Sequence, residues 1–209
     1  MVHIYHTVCP DKLPSTLDIS FLSTAYQRQL ESFVMEDDKL SYYYSKRMLC
    51  NILEAHHGIT DLLGVKLYDK GKPYIEGLPQ FNISHSGRHL LVALSSDMHI
   101  HIGIDIQMHK KMDKTLFQKY YNPLEWEKVQ DDESTFYDIW TIKESAIKAD
   151  GRGMSILSST GIDSENRVQA DNSLLYFYLL NNQLRTDNVS AALVTNHAVQ
   201  IQWHELPLR

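Results

Sequence analysis

The sequence contains segments with a two-residue hydrophobic period and segments with a helical period. The two-residue period and short apolar runs predict strands over residues 2–8, 90–95, 100–107, 174–180, 190–194 and 199–203. Helical spacing predicts helices over residues 19–33, 38–56 and 134–149, and shorter helical signals fall at 116–121 and 123–129. Gly58 and Gly151 follow two of these helices, where glycine commonly ends a helix. The mixture predicts an α/β protein.

Composition narrows the class of protein. The 209 residues are 43% hydrophobic and 22% charged, which is typical of a globular chain. The net charge of -6 predicts no general attraction to nucleic acid or to an anionic membrane. The apolar runs are too short to cross a bilayer, and the first residues do not resemble a signal peptide. Two cysteines, Cys9 and Cys50, indicate free thiols, so we expect a cytoplasmic protein.

The most regular strand pattern lies at residues 100–107. Its four isoleucines share one face, and Asp105 and Gln107 share the other, beside open space expected at Gly103. Two oxygen-bearing side chains on a rigid strand are suited to half of a site for a hard cation. The alternative is an ordinary strand with a solvated polar face.

A second pattern lies in the helix predicted over residues 134–149. Trp140, Glu144 and Lys148 are spaced four residues apart and form one ridge, whereas Lys143 points elsewhere. A glutamate and a lysine at this spacing are commonly a surface ion pair. The tryptophan on the same ridge instead favours a position in a cleft.

Residues 81–87, Phe-Asn-Ile-Ser-His-Ser-Gly, place short polar side chains between two hydrophobic segments. We expect a tight polar turn in which Ser84 and His85 can bind a phosphate group. Lys72 can bring a positive charge to the same anion. The alternative is a turn whose histidine is structural.

The order and spacing of these motifs are more specific than any one of them. Gly71-Lys72-Pro73, residues 82–87, residues 103–106 (Gly-Ile-Asp-Ile) and residues 140–148 together resemble the surfactin-type (Sfp-type) 4'-phosphopantetheinyl transferases. The resemblance covers residues 71–153. It implies an α+β fold of two similar α/β halves, residues 1–102 and 103–209, related by a pseudo-twofold axis. It also implies that the active site lies in the cleft between the halves.

The resemblance further implies transfer of 4'-phosphopantetheine from coenzyme A to a serine of an acyl or peptidyl carrier protein, with Mg²⁺ as cofactor and adenosine 3',5'-bisphosphate as leaving group. The implied metal ligands are Asp105, Gln107 and Glu144. The implied catalytic residues are Glu144, as proton acceptor, and Lys148. The implied coenzyme A contacts are Ser84, His85, Lys72 and Arg47, with Arg28 as a weaker candidate. Many family members carry a carboxylate at the position of Gln107, so we expect weaker metal affinity here.

Two alternative functions stay open at this point. One is a coenzyme A-binding homologue without catalytic activity. The other is a transition-metal protein, because His99 and His101 share a strand face with Asp105 and because His56 and His57 are adjacent.

Partner recognition is predicted from local charge. Four lysines just after the Asp105 strand (Lys110, Lys111, Lys114 and Lys119) are candidates for binding an acidic carrier. The alternative is an ordinary solvated segment of charged residues. We also expect a monomer, since one chain would contain both halves.

Overall fold

A mixed four-stranded sheet, an antiparallel five-stranded sheet and their helices form the protein. The computed structural model describes residues 1–184, 186 and 188–207. The first sheet has the strand order β11-β1-β5-β4 and comprises β1 (Val2–Val8), β4 (Phe81–Ser86), β5 (His89–Ser95) and β11 (Ile201–Glu205). The second has the order β6-β10-β9-β8-β7 and comprises β6 (Ile102–Met108), β7 (Thr160–Ser164), β8 (Arg167–Ala170), β9 (Ser173–Leu179) and β10 (Val189–Thr195). A small hairpin pairs β2 (Lys66–Leu67) with β3 (Pro73–Tyr74).

The helices begin and end at recognisable caps. They are α1 (Thr24–Ser32), α2 (Glu36–His57), α3 (Pro123–Val129), α4 (Glu133–Asp150) and the short α5 (Asn181–Leu184), with 3-10 segments at Lys114–Tyr120 and Gly153–Ser159. Asn122 and Glu125 form a capping box before α3. Gly58 and Gly151 end α2 and α4 with positive φ angles of 70° and 89°. No helix in the described residues is long and apolar enough to span a membrane.

The hydrophobic core has layers that fix the position of β6. Helix α2 packs on one face of the first sheet, with Leu49 and Leu53 against Val92. The other face of this sheet contributes Ile4 to a layer that also contains Ile104 of β6. Helix α4 packs on the opposite face of the second sheet. Strand β6 is therefore enclosed between the first sheet and α4.

The predicted isoleucine face of β6 is confirmed, and so are the strands at residues 2–8 and 90–95 and the three late strands. The helix predicted from residue 19 begins only at Thr24, because Ser23 caps it by accepting from the Tyr26 N–H. The domain boundary between residues 102 and 103 stays a prediction. Strand β11, from beyond that boundary, pairs in parallel with β1.

The prediction of a tight polar turn at residues 81–87 is wrong. Residues 81–86 form strand β4, and the chain turns only at Gly87, which has a φ angle of 55°. The polar residues alternate because their side chains have a specific partner in β6.

Candidate active site

Side chains of the β4 segment bind the backbone of β6 along its free edge. The other edge of β6 pairs with β10. Alternate N–H groups of β6 donate to side-chain oxygens two residues apart: Ile102 to Gln80 (3.2 Å), Ile104 to Asn82 (2.8 Å), Ile106 to Ser84 (3.3 Å) and Met108 to Ser86 (2.9 Å). This ladder satisfies a buried strand edge and fixes β4 beside β6.

Asp105 lies at the centre of this arrangement. It is 1% exposed. Its Oδ1 accepts hydrogen bonds from Ser84 Oγ (2.8 Å) and Lys148 Nζ (2.6 Å), and its Oδ2 accepts from Gln107 Nε2 (3.1 Å). Three donors therefore compensate for the desolvation of this carboxylate.

Helix α4 brings Glu144 and Lys148 to Asp105. Besides Asp105, Lys148 Nζ donates to Ser84 Oγ and to Ile104 O, both at 3.1 Å. Burial raises the pKa of Glu144 to about 7, repulsion from Asp105 adds to the increase, and Lys148 opposes it. The two carboxylates are thus close enough to repel each other, and Glu144 titrates near neutral pH, as suits a general base.

Gly103 explains why α4 lies so close to β6. A Cβ atom on Gly103 would lie 2.1 Å from Ser145 O and 2.4 Å from Ala149 N. The prediction of open space beside Gly103 is therefore wrong, because the α4 backbone occupies it. Only glycine permits this approach, which brings the turn from Glu144 to Lys148 against Asp105.

Lys143 points away from this group, as its spacing predicts. Its Nζ lies 2.8 Å from Glu125 Oε2 and donates to Tyr120 O at 2.8 Å. Both members of the ion pair are buried. Trp140, on the Glu144 ridge, packs against Phe117. These contacts hold α4 against α3 and the preceding 3-10 segment.

Lys72 reaches the opposite end of the same strand edge. Its Nζ donates to Gln80 Oε1 (2.8 Å), Ile102 O (2.9 Å) and Ala149 O (3.3 Å). Burial lowers the pKa of Lys72 to about 8. The ammonium of Lys72 therefore contacts three protein oxygens.

Two cavities adjoin the carboxylates and share Gly71, Pro73 and Ile83 in their walls. One, of about 290 Å³, is lined by Glu144 and Lys148. The other, of about 370 Å³, is lined by polar and aromatic side chains, among them Lys46, His85, Tyr26, Tyr42 and Asp38. The shared residues place the two cavities side by side as one recess, and their combined volume is that of a site for a small organic ligand.

Lys46 is the functional candidate that the sequence analysis missed. It is 9% exposed, and its ammonium lies over the rings of Tyr26 and Tyr42, 4.7 and 4.6 Å from their centroids. Burial lowers the pKa of Lys46 to about 8. Within the described residues, the buried Tyr26 hydroxyl has no hydrogen-bond partner. The available signal was helical spacing, since Lys46 lies four residues after buried Tyr42 and three before buried Leu49.

Arg47, the residue predicted to contact coenzyme A, faces a different direction. Its guanidinium stacks 3.8 Å from the centroid of Phe21 and forms an ion pair with Asp18 at 3.0 Å. One residue along a helix rotates the side chain by about 100°, so Lys46 and Arg47 cannot both face the cavity. Arg28 is exposed on α1. Neither arginine lines the two cavities described above.

The donor set near Asp105 fits magnesium. Two carboxylates, Asp105 and Glu144, and the Gln107 amide offer the hard oxygen ligands that this ion prefers. A divalent cation would also relieve the repulsion that raises the pKa of Glu144. In the described part of the chain, no group of three His, Cys, Asp or Glu side chains could hold a metal ion. The transition-metal alternative, with His99 and His101, therefore gains no support.

Comparison with known proteins gives matches to one family. Residues 101–201 match the model of the 4'-phosphopantetheinyl transferase superfamily. The Sfp transferase of Bacillus subtilis (strain 168) is 40% identical over 146 residues, which cover 66% of this chain and 64% of the relative. Over these segments the chain is similar to the Sfp-type 4'-phosphopantetheinyl transferases. The segment that matches the family model contains Asp105, Glu144 and Lys148.

Other similar proteins match shorter segments. A 4'-phosphopantetheinyl transferase of Bacillus subtilis is 42% identical over 100 residues, covering 44% of this chain and 42% of the relative. The gsp transferase of Aneurinibacillus migulanus is 37% identical over 105 residues, covering 47% of this chain and 43% of the relative. The matched segments thus cover between 42% and 64% of the length of these relatives.

Proposed function

We propose that this chain transfers 4'-phosphopantetheine from coenzyme A to a serine hydroxyl of an acyl or peptidyl carrier protein and releases adenosine 3',5'-bisphosphate. The observation that carries the proposal is the proximity of Asp105, Glu144 and Lys148 beside a recess. This group combines a metal-binding pair of carboxylates, a base that titrates near neutral pH and a cation. Phosphoryl transfer requires these three components.

In the proposed reaction, the serine Oγ forms a bond to the phosphorus that carries pantetheine. The bridging P–O bond of the coenzyme A pyrophosphate breaks, and its electrons stay on the adenosine 3',5'-bisphosphate. Glu144 accepts the serine proton, since its pKa of about 7 suits a general base. Lys148, which already donates to Asp105, lies where it can neutralise charge on the transferred group.

Asp105, Glu144 and Gln107 would hold the magnesium ion, which when bound polarises phosphoryl oxygens and orients the leaving group. In the present geometry Gln107 donates its Nε2 to Asp105. A half-turn of the amide would present its oxygen instead. We propose weaker magnesium affinity than for a site with three carboxylates, because the amide carries no formal charge.

For coenzyme A, we propose that Lys46 and His85 bind phosphate groups in the larger cavity. Lys46 is a buried cation beside a hydroxyl without a partner, so an anionic ligand would satisfy both groups. Ser84 stays a predicted phosphate contact, although its Oγ already bonds Asp105 and Lys148.

The neighbouring residue Arg47 provides a matched comparison with Lys46. Lys46→Met should raise the KM for coenzyme A at least about tenfold, as expected for the loss of one charge-assisted contact. Arg47→Met should leave this KM unchanged. A larger increase in the KM for coenzyme A in Arg47→Met than in Lys46→Met would show that Arg47, and not Lys46, contacts coenzyme A.

We also propose the finer arrangement of the fold, in which two halves, residues 1–102 and 103–209, enclose the active site. The packing of α2 on the first sheet and of α4 on the second supports it. The two free and buried cysteines, Cys9 and Cys50, are compatible with the reducing cytoplasm. A monomeric state stays part of the proposal.

The proposed docking surface for an acidic carrier begins at Lys110 and Lys111, which are exposed where the chain leaves β6. The Tyr137 hydroxyl fixes this segment, since it bonds both the N–H and the C=O of Lys110. Reversing both charges with glutamate should raise the KM for the carrier and leave that for coenzyme A unchanged. Equal effects on both constants would reject the surface.

The decisive experiment is mass spectrometry of carrier proteins incubated with the chain, coenzyme A and Mg²⁺. A gain of one phosphopantetheine group should appear with the wild-type chain and disappear with Asp105→Ala and Glu144→Ala. Several carriers from fatty acid, polyketide and peptide synthesis should be compared. Binding of coenzyme A without transfer to any carrier would favour the inactive homologue instead.

A further inference from the structure

A single ammonium group joins the three elements that carry the candidate catalytic residues. Lys72 Nζ contacts Gln80, which directly precedes β4, Ile102 O at the start of β6, and Ala149 O in the last turn of α4. These elements carry Ser84, Asp105 and Glu144, respectively. Lys72 itself lies in the loop between the two strands of the small hairpin.

Two of the three contacts satisfy backbone carbonyl oxygens that would otherwise lack a regular partner, and the third is to Gln80 Oε1, which also accepts from the Ile102 N–H. Ala149 O is one of the last carbonyls of α4, which have no partner within a helix and form the negative end of its dipole. Ile102 O lies on the edge of β6 that faces β4 rather than β10. A lysine ammonium has three donors, so these contacts use its full capacity. None is left for a phosphate oxygen in this geometry.

Lys148 repeats the same contact two residues further along β6. Lys72 binds Ile102 O and Lys148 binds Ile104 O. The two carbonyls are about 7 Å apart along a strand. The two lysines therefore fix α4 to β6 at two points, and Glu144 and Asp105 lie on the elements that they join.

We infer that Lys72 is a positioning residue that holds α4 and β6 at the separation at which Asp105 and Glu144 share one cation, and that it is not a phosphate ligand. The inference rests on the proposed function. It replaces the role that the family resemblance implies for Lys72. The geometry that supports it is the convergence of three protein oxygens on one half-buried ammonium.

The test compares Lys72→Met with Lys70→Met, a matched loss of one charge in the same loop at an exposed residue that lines the same recess. Three quantities are measured: hydrogen exchange at residues 147–151, the Mg²⁺ concentration for half-maximal transfer, and the Kd for adenosine 3',5'-bisphosphate without metal. Gly151 N–H reports directly, since it bonds Ile147 O at the end of α4.

For Lys72→Met we expect faster exchange at residues 147–151, a higher Mg²⁺ requirement and a fall in kcat of about tenfold or more, because small displacements of reacting groups are costly. The Kd for adenosine 3',5'-bisphosphate should stay within about twofold, as for Lys70→Met, since no phosphate contact is lost. A tenfold weaker nucleotide affinity with unchanged exchange would overturn the inference.

Lys72→Arg keeps the test valid if the methionine variant does not fold. A planar guanidinium cannot direct three donors from one atom, so kcat should still fall although the charge is kept. Full activity of Lys72→Arg would contradict a positioning role. Hydrogen exchange does not depend on turnover. A wild-type chain without transfer activity would thus refute the proposed function, whereas unchanged exchange in Lys72→Met would refute the present inference.

Discussion

Replacing the candidate general base should stabilise the folded protein while it abolishes transfer. Glu144 has a folded-state pKa of about 7 against an ordinary value of 4.5. The folded state therefore holds an extra proton between these two pH values, and its stability falls as the pH rises through 7. Above pH 7 the folded state bears the full free-energy cost of a desolvated charge that Asp105 repels. Glu144→Gln removes that cost.

The magnitude follows from the pKa difference. A shift of this size corresponds to at most about 3 kcal/mol, and the partial exposure of Glu144 to the cavity reduces the expected gain to about 1 kcal/mol. For a domain of this length, that gain raises the melting temperature by about 2–4 °C. The gain should be present at pH 8.5 without metal and absent at about pH 3, which is below both pKa values, so that Glu144 is protonated in both states.

The assay is thermal unfolding of wild type and Glu144→Gln at the two pH values, with and without Mg²⁺. Glu133→Gln is the matched control, because Glu133 lies exposed in the first turn of the same helix. Its loss should slightly lower the melting temperature, since a negative charge there favours the helix dipole. Mg²⁺ should stabilise wild type more than Glu144→Gln. A lower melting temperature of Glu144→Gln at pH 8.5 would show that Glu144 is not under electrostatic strain.

Three further substitutions test the framework of the site. Gly103→Ala should destabilise the fold by about 2 kcal/mol in chemical denaturation, because its Cβ would lie 2.1 Å from Ser145 O; an unchanged unfolding midpoint would rule out this close packing. Glu125→Ala should lower the free energy of unfolding by about 3–5 kcal/mol, since it leaves the Lys143 ammonium buried without its carboxylate. Thermal unfolding measures this loss, and a clearly smaller value would show that water reaches the ion pair. Gln107→Glu should lower the Mg²⁺ concentration for half-maximal transfer, and an equal or higher requirement would place residue 107 away from the metal.

Local patterns in the sequence predicted the helices and strands correctly where their formation depends on residues close together in the chain. Strand β1 and helix α3 have the bounds that the two-residue alternation and the helical signal over residues 123–129 predict. The polar residues Asn82, Ser84 and Ser86 led to the wrong prediction of a turn. They belong to a strand whose side chains bind β6, about 20 residues further along the chain, and no local pattern reveals such a distant partner.

The candidate site was also predicted only in part, because some of its contacts join residues far apart in the chain. Family motifs pointed to Asp105, Glu144 and Lys148, which the structure brings together. They did not fix the register of α2, where no motif distinguishes Arg47 from Lys46. The space beside Gly103 could not be judged either, because its occupant, the α4 backbone, comes from more than 40 residues away.

The parallel pairing of β1 with β11 has a consequence for biosynthesis. Val2 pairs with Ile201 and His6 with Glu205. One edge of β1 therefore has no partner strand until about 200 further residues have been synthesised. Until then the nascent chain presents an unpaired row of amide and carbonyl groups, a surface on which other strands can add. Folding of the first sheet is thus completed only after release of the segment that contains β11, and chaperones that shield exposed edges should favour correct assembly over aggregation.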